Sequence, residues 1–331
     1  MVDLRALPST ADNTRRTYTW ALSKWRAWCS EEFLPDHVDP TRPDRMASTV
    51  SQTPLLAFVR RLAADGVSPS TMRVCLSALA DAHQKAGLRN PTKTADVRRL
   101  VRAHARQAAI ERRAQPVGQV APLDREALDR ILDHVGEPPR RSILSRDVAL
   151  VQTMRDGLLR RSEAAALDWQ DLTRALDGSG RLLVHRSKTD QTGEGRVAWL
   201  SPPTVDVLAR WTPPAERREA APIFCHVRNG RREWRRRLSG HSIATRISRL
   251  AADAGLDGRF SGHSPRVGMS QDLTEAGASL LEIMRAGGWT SPDMPARYTR
   301  QLEAQRGAVA HYWETTRPEP PENPWAGFGS L

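Results

Sequence analysis

The sequence predicts a mainly α-helical protein of two domains, the first all-α and the second mixed α/β with a small β-sheet. Three observations support this prediction. The 331 residues are enough for two domains of ordinary size. Apolar residues recur at helical spacing through much of the chain. Two short runs with β-strand character lie in the second half.

The domain boundaries follow from a segment without apolar periodicity. Residues 115–122 read Gln-Pro-Val-Gly-Gln-Val-Ala-Pro, and this Pro and Gly content is typical of a linker. We therefore assign residues 1–114 to an N-terminal helical domain. Residues 123–317 form the second domain, which ends in a C-terminal helix. Residues 318–331 are rich in Pro and Gly, which predicts a flexible tail.

The first domain is predicted to consist of successive helices. Residues 13–32 form one helix, because apolar residues recur on one face. These residues are Ala21, Leu22, Trp25, Trp28 and Cys29. Residues 70–86 form another helix, which ends before Gly87, a typical stop residue. A basic helix follows, and its arginines are Arg98, Arg99, Arg102, Arg106, Arg112 and Arg113.

The second domain is predicted to begin with a helix and to contain one β-hairpin. Asp124 stands where a helix N-cap is expected, just before apolar residues at helical spacing. Residues 181–186 and Arg196–Leu200 have strand character, and a turn rich in Thr, Asp and Gly separates them. This pattern predicts a hairpin with Lys188 at its bend. Most of the remaining residues are predicted to be helical.

The charge of the chain favours a polyanionic partner. It carries 50 basic against 38 acidic side chains, a formal net charge of +12. Nucleic acid is the first candidate and an anionic membrane surface is the second. No apolar run approaches the roughly 18 residues of a membrane span, and the first residues lack a signal-peptide core. Three widely separated cysteines argue against a disulfide framework or a zinc site, so we expect a reducing, cytoplasmic location.

Six residues between positions 160 and 298 form a set suited to phosphodiester chemistry. Two guanidiniums, an ammonium, an imidazole, an indole N–H and a phenol can together hold a phosphodiester and neutralise its developing charge. The phenol can also attack phosphorus as a nucleophile. In chain order these residues are Arg160, Lys188, His263, Arg266, Trp289 and Tyr298.

Two members of the set belong to residue types that are scarce in this chain. Lys188 is one of four lysines among 50 basic residues, in a composition typical of a GC-rich bacterial gene. A general acid must release its proton, and arginine does not do so near neutral pH. Tyr298 is one of three tyrosines, so a tyrosine nucleophile has few rivals.

The order and spacing of these motifs resemble the tyrosine recombinase (phage integrase) family. The segments are Leu-Arg-Arg-Ser-Glu at 159–163, Ser-Lys-Thr at 187–189, Gly-His-Ser-Pro-Arg at 262–266 and Gly-Gly-Trp-Thr at 287–290, followed by Tyr298. The resemblance runs from about residue 13 to about residue 314. It implies an all-α, SAM-like core-binding domain and a mixed α/β catalytic domain that together clamp duplex DNA.

The resemblance implies that four residues bind or orient the scissile phosphate. Arg160 and Arg266 would hold it through bidentate guanidinium contacts. Glu163 would orient neighbouring groups, and its spacing from Arg160 predicts that the two share a helix face. Trp289 would donate through its indole N–H, which cannot shuttle a proton.

The remaining three residues would form and break bonds. Tyr298 would attack phosphorus and form a 3′-phosphotyrosyl link. Lys188 would protonate the 5′-oxygen that leaves. His263 would donate to a phosphate oxygen or help to move the tyrosine proton. The set uses charge stabilisation rather than paired carboxylates, so neither a metal nor a nucleotide cofactor is implied.

DNA contacts are carried over from the same resemblance. The residues that would face the major groove are Thr14, Arg16, Thr17, Thr71 and Arg73. Residues 228–237 hold six arginines and are expected to meet backbone phosphates. A helix with Thr or Arg on one side can equally be an ordinary solvated helix, and that alternative stays open here.

The resemblance also implies an assembly on DNA. The partner would be double-stranded DNA with an inverted-repeat target site, and four protomers would assemble on two such sites, with a monomer or dimer otherwise. Near the C-terminus, one helical face carries Leu302, Val309, Ala310 and Trp313. This face would dock into a neighbouring protomer or fold back on its own domain, and the sequence leaves both open.

Two alternative functions remain at this point. One is a type IB topoisomerase or telomere resolvase, which uses the same chemistry for a different task. The other is a DNA-binding regulator with a decayed active site. Every catalytic residue type is present, which favours an enzyme.

Overall fold

The computed structural model describes residues 12–32, 52–114, 120–136, 142–185, 195–305 and 308–316. The chain divides into two compact units, Met1–Val117 and Gly118–Leu331. Within these ranges the first unit is helical, and the second combines helices with two small antiparallel sheets. The predicted fold class is therefore confirmed. Lys188, residues 115–119 of the predicted linker and the predicted tail at 318–331 lie outside the described residues.

In its described residues, the first unit packs four helices around an aromatic cluster. The helices are α1 (Asp12–Glu31), α2 (Gln52–Ala64), α3 (Pro69–Lys85) and α4 (Ala95–Ala114), with a short 3₁₀ turn at Pro91–Lys93. Trp25 and Trp28 of α1 meet Phe58 of α2, with ring centroids 5.1 and 5.5 Å from that of Phe58. All three side chains are buried, as the apolar spacing of the first helix predicts.

Helix α3 begins slightly earlier than the sequence pattern indicates. Pro69 occupies its first turn, and the Ser68 hydroxyl accepts a hydrogen bond from the Thr71 backbone N–H at 3.2 Å. Proline suits this position because its fixed φ is helical and the first N–H groups of a helix have no partner within it. The serine cap thus sets the start of α3.

The second unit contains nine helices in its described part. They are α5 (Arg125–Val135), α6 (Ser142–Asp156), α7 (Arg161–Ala166), α8 (Pro202–Trp211), α9 (Gly240–Asp253), α10 (Ser264–Glu275), α11 (Leu280–Gly287), α12 (Asp293–Gln305) and α13 (Ala308–Thr316). Helix α6 is buried along ten consecutive residues, so it forms the centre of the unit. Asp124 caps α5 as predicted, because its carboxylate accepts from the Ala127 N–H at 2.9 Å.

The strands that the structure describes form two separate antiparallel sheets. In the first, β1 (Leu172–Arg174), β2 (Gly180–Val184) and β3 (Arg196–Leu200) lie in that order. Leu182 pairs with Ala198, which confirms the predicted β2–β3 hairpin. The second sheet, β4 (Cys225–Arg228) with β5 (Arg231–Arg237), was not predicted from the sequence. Its arginine-rich run offers too few apolar residues to show a period of two.

The start of α10 is held against the start of α5. The Leu123 N–H donates to the Ser264 carbonyl at 2.9 Å, and Arg155 donates to the Leu123 carbonyl from α6. Gly268, one turn into α10, leaves no room for a side chain, since an added Cβ would lie 2.0 Å from the Leu123 carbonyl oxygen. This close approach fixes the position of the helix that carries Arg266.

Gly268→Ala should therefore destabilise the second unit although alanine is the better helix former. Steric overlap with the Leu123 backbone should outweigh the gain of about 1 kcal/mol in helix propensity, giving a net loss of about 2 kcal/mol or more. The free energy of unfolding in urea measures this. Gly240→Ala is the matched control, because its Cβ would lie 3.4 Å from a flexible Arg161 side chain. Equal stability of the two variants would contradict the packing argument.

Candidate functional site

The turn between α6 and α7 positions Arg160. Leu158 adopts a left-handed backbone with φ of 46°, which is uncommon for a residue with a side chain. The chain then enters an extended conformation at Arg160, the residue immediately before α7. Arg160 thus precedes the helix, and the expectation that it shares a helix face with Glu163 was wrong.

Glu163 is held beside Arg160 by a different device. Its carboxylate accepts from the Arg160 backbone N–H at 2.9 Å and from the Arg160 guanidinium at 2.6 Å. The first bond, from the backbone N–H of the N-cap residue to the side chain three residues later, is one of the two bonds of a capping box. This explains why a spacing of three brings Arg160 and Glu163 together. Glu163 is buried, so it serves as a fixed counter-charge for the cations around it.

Arg266 lies at the centre of the site, on the first turn of α10. It is buried and donates to the carbonyls of Leu158 and Gly287, the latter at 2.8 Å. Its guanidinium carbon lies 3.6 Å from the centroid of the Trp289 ring, a cation–π contact. Burial, followed by the nearby charge of Arg160, lowers the pKa of Arg266 to about 9. The group is still a cation at neutral pH.

Trp289 is placed by two glycines at the end of α11. Gly288 adopts the left-handed conformation that ends many helices, with φ of 65°. A Cβ on Gly287 would lie 1.9 Å from the Trp289 ring. The indole therefore lies directly on the backbone of Gly287. Its ring also contacts the Arg266 guanidinium and packs beside the Tyr298 ring.

Tyr298 lies on α12, half-buried beside Trp289. The two ring centroids are 6.2 Å apart in an edge-to-face arrangement. Burial raises the pKa of Tyr298, while Arg266, Arg160 and Arg297 act in the opposite direction. In the protein without DNA, desolvation thus outweighs the cations, and the phenol is neutral at physiological pH. Gln271 of α10 donates to the Tyr298 carbonyl at 3.0 Å and ties α12 to the helix of Arg266.

His263 stands immediately before α10. The residue is exposed, but neighbouring protein atoms desolvate its imidazole, and this lowers its pKa below the ordinary value of 6.5. Arg161, Arg266 and Arg160 add to the effect through their charge. The imidazole is therefore neutral at pH 7 and can accept a proton.

Six of the seven sequence-predicted catalytic residues come together in this part of the second unit. They are Arg160, Glu163, His263, Arg266, Trp289 and Tyr298. Lys188 lies outside the described residues. Arg196, the first residue of β3, also belongs to this site and was not predicted from the sequence. Its guanidinium donates to the Gly157 carbonyl at 2.7 Å and to the Ala286 carbonyl at 2.9 Å. An arginine next to a turn is usually a surface residue, so its position gave little signal.

The residues predicted to face the major groove of DNA lie in the first unit. Thr14, Arg16 and Thr17 are on α1, and Thr71 and Arg73 are on α3. Arg16 and Arg73 are exposed, whereas the threonines are partly buried. Arg73 also lines a surface recess, together with two basic residues of α4. The lining residues are Arg73, Ala95, Arg98, Val101 and Arg102.

The six arginines of residues 228–237 divide into two groups. Arg228, Arg231, Arg235 and Arg236 are exposed. Arg232 is partly buried, bound to Glu216 at 2.5 Å and stacked on Trp211. Arg237 donates to Asp168 and to the carbonyls of Ala165 and Leu167. Arg232 and Arg237 thus hold the second sheet to the rest of the unit.

Comparison with known proteins agrees with this geometry. The model of the phage integrase family matches residues 122–305, which is more than half of the chain. The chain belongs to the phage integrase family. Its members are the tyrosine recombinases, enzymes of DNA breakage and rejoining. Among the described residues, no three His, Cys, Asp or Glu side chains are grouped so that they could hold a metal ion, and no helix is long and apolar enough to cross a membrane.

Individual relatives cover nearly the whole chain. The recombinase Cre of Escherichia phage P1 is 27% identical over 350 residues, covering 94% of this chain and 96% of Cre. The structure of the XerH site-specific recombinase bound to a palindromic difH substrate matches with a TM-score of 0.62 at 16% identity, covering 90% of this chain and 79% of XerH. A lambda integrase tetramer bound to a Holliday junction matches with a TM-score of 0.55 at 18% identity, covering 89% and 74%. The two structures show a shared fold.

The pKa of His263 gives a direct test of the site's electrostatics. Arg161→Gln should raise this pKa toward 6.5 without reaching it, because desolvation is the larger cause and remains. NMR titration of the imidazole, assigned with His263→Asn, measures the change. In the wild type, the pKa of His263 is lower in the folded protein than in the unfolded chain. Protonation of His263 therefore favours the unfolded chain and should lower the free energy of unfolding as the pH falls through about 6.5.

Arg285→Gln provides the matched control for this titration. Arg285 is exposed on α11 and is not among the groups that shift His263. It should leave the His263 titration unchanged. A wild-type pKa at or above 6.5 would contradict the proposed environment.

Proposed function

We propose that this protein is a Cre-like site-specific recombinase, which cuts and rejoins duplex DNA through a 3′-phosphotyrosyl intermediate without metal or ATP. One observation carries the proposal. Tyr298 lies edge-to-face beside the Trp289 ring, which itself lies 3.6 Å from the Arg266 guanidinium carbon, and the charges of Arg266 and Arg160 both act to lower the pKa of the phenol. Guanidiniums hold phosphodiesters in two-point contacts, and a neighbouring phenol oxygen can then attack phosphorus.

The phosphate would be held by the two arginines with help from the indole. The two named carbonyl bonds use two of the five N–H donors of Arg266. Arg160 would supply a second guanidinium, with Glu163 fixing its direction through the 2.6 Å bond. Together they would neutralise the charge that builds on the non-bridging oxygens as phosphorus becomes five-coordinate.

The chemical step exchanges one phosphorus–oxygen bond for another. The Tyr298 oxygen would form a bond to phosphorus, and the bond from phosphorus to the 5′-oxygen would break. The neutral His263 would accept the phenol proton. Lys188 would donate a proton to the departing 5′-oxygen. The phosphoester bond is conserved in the intermediate, so rejoining is the same sequence in reverse.

DNA binding would draw on both units. In the first unit, Arg16 and Arg73 are exposed, and Arg73 shares its recess with Arg98 and Arg102. Three guanidiniums around one recess would bind backbone phosphates. We propose that Thr14, Thr17 and Thr71 lie beside them in the major groove of an inverted-repeat site. Bacterial DNA lies in the cytoplasm, and we propose that compartment for the protein.

The proposed assembly is a tetramer on two DNA sites. In α13, Val309, Tyr312 and Trp313 are exposed at 72%, 58% and 61%, so the helix carries an apolar surface. Isolated exposed apolar residues are ordinary, but three on nine residues are typical of a contact surface. We propose that this surface docks into the next protomer in a cyclic arrangement.

The nucleophile is tested by Tyr298→Phe. This variant should bind target DNA with unchanged affinity and form no covalent protein–DNA adduct on a nicked substrate, because the attacking oxygen is gone. Adducts are counted by denaturing gel, with chelator present throughout. Tyr312→Phe, which removes an exposed hydroxyl from α13, should form adducts at the wild-type rate. An adduct in Tyr298→Phe, or activity that returns only with magnesium, would refute the mechanism.

The role of α13 is tested by replacing Val309 and Trp313 with serine together. Binding to a single half-site should stay within about twofold of the wild type, since these side chains are remote in sequence from the DNA-contacting set. Cooperative occupation of a full site should fall by about tenfold or more, because apolar anchors dominate protein contacts. Gel-shift titrations on half and full sites measure both quantities.

Thr315→Ala with Thr316→Ala is the control, since both threonines are exposed on the same helix. This pair should bind full sites as the wild type does. Wild-type cooperativity in the serine variant would mean that α13 does not join protomers.

A further inference from the structure

Arg196 occupies an unusual place for a strand arginine, since its side chain is 14% exposed and points into the site rather than into solvent. It begins β3, directly after Gly195, whose positive φ of 72° and close approach to the Val184 carbonyl exclude a side chain there. The backbone of Arg196 is paired with Val184 of β2. Pairing within the sheet therefore fixes the backbone of Arg196, whatever the guanidinium contacts.

The guanidinium of Arg196 joins three segments that carry proposed catalytic groups. It donates to the carbonyls of Gly157 at 2.7 Å and Leu158 at 3.3 Å, in the turn before Arg160. It donates to the Ala286 carbonyl at 2.9 Å, in the last turn of α11 just before Trp289. It also lies 3.5 Å from the Glu163 carboxylate.

Arg266 contacts the same two turns. It donates to the carbonyl of Leu158 and to that of Gly287, one residue beyond the Ala286 acceptor of Arg196. Two guanidiniums thus bridge the same pair of segments, one from α10 and one from β3. Arg266 is expected to contact the phosphate. The guanidinium of Arg196 instead directs its bonds to three backbone carbonyls and lies beside the Glu163 carboxylate.

We propose that Arg196 is a positioning residue that holds the Arg160 turn and the Trp289 turn at the separation needed for catalysis. This inference rests on the proposed strand-transfer function. A buried cation carries a desolvation cost, so it is retained where several bonds from one group are required. Planar, five-donor arginine can reach both turns at once, and lysine, with a single nitrogen, cannot reproduce this geometry.

Further geometry supports the placement of the side chain. A Cβ on Gly288 would lie 2.8 Å from the Arg196 Cδ, so the arginine stem packs against the turn itself. The charge of Arg196 also contributes to the lowered pKa of Arg266. Displacement of Arg196 would therefore alter the spacing of the turns and the charge around the phosphate-binding group.

The test compares Arg196→Met and Arg196→Lys with the wild type in single-turnover cleavage of a nicked substrate. Arg196→Met should cleave about 100-fold more slowly, the loss typical of a displacement of about 1 Å in an active site. Its affinity for DNA should stay within about threefold. Arg196→Lys should recover part of the rate and remain below the wild type. Arg181→Met, an exposed arginine on neighbouring β2, should cleave normally.

A double-mutant cycle separates positioning from general loss of structure. If Arg196 acts through Trp289, then Trp289→Phe and Arg196→Met together should slow cleavage by clearly less than the product of the two single effects. Multiplicative effects, or a rate within twofold of the wild type in Arg196→Met, would overturn the proposal. If Arg196→Met does not fold, the same double-mutant cycle is measured with Arg196→Lys and Trp289→Phe.

A readout without catalysis distinguishes failure of this inference from failure of the proposed function. In 5-fluorotryptophan-labelled protein, the ¹⁹F resonance that disappears in Trp289→Phe reports the indole's surroundings. Arg196→Met should shift this resonance, and Arg181→Met should leave it in place. An unmoved resonance refutes the positioning role. Absence of any adduct in the wild type, with the resonance shifted in Arg196→Met, refutes the strand-transfer function alone.

Discussion

The buried guanidinium of Arg266 is the contact on which the rest of the site depends. It fastens the Leu158 turn to the Gly287 turn and packs against the Trp289 indole. Through these contacts it fixes the backbone before Arg160 and the ring beside Tyr298. Helix α10 can provide this only because Gly268 lets it approach the Leu123 backbone closely. A packing constraint remote from the chemistry thus sets the position of the central charge.

The balance of charge in the site favours an anionic ligand. Arg160, Arg196 and Arg266 surround a single buried carboxylate, that of Glu163. Burial, followed by repulsion from Arg160 and Arg196, lowers the pKa of Arg266 to about 9. A phosphodiester placed among them would offset the repulsion and raise that pKa again. Arg266 and Arg160 also act on Tyr298, so ligand binding and the acidity of the phenol are coupled through these two charges.

Much of the fold and most of the site could be predicted from the sequence, for reasons that individual residues make clear. Trp25 and Trp28 revealed the core of the first unit because helical periodicity reports burial directly. The β4–β5 hairpin was not predicted because its run of arginines hides the two-residue alternation of apolar and polar residues that marks a strand. Arg160 was assigned to a helix because a spacing of three suggests one face, whereas a capping bond through Glu163 produces the same proximity. Arg196 could not be found, because its acceptors are backbone carbonyls, which leave no signature in side-chain identity.

The contact between Gly287 and Trp289 links two sequence positions during evolution. The indole covers the glycine so closely that any side chain at 287 would collide with it. A smaller ring at 289 would open space above the backbone, and alanine at 287 would then become tolerable. Substitution of Gly287 is therefore excluded as long as tryptophan occupies position 289. It becomes tolerable only after Trp289 has been replaced by a smaller residue. The order in which the two substitutions can occur is fixed by the shape of one ring.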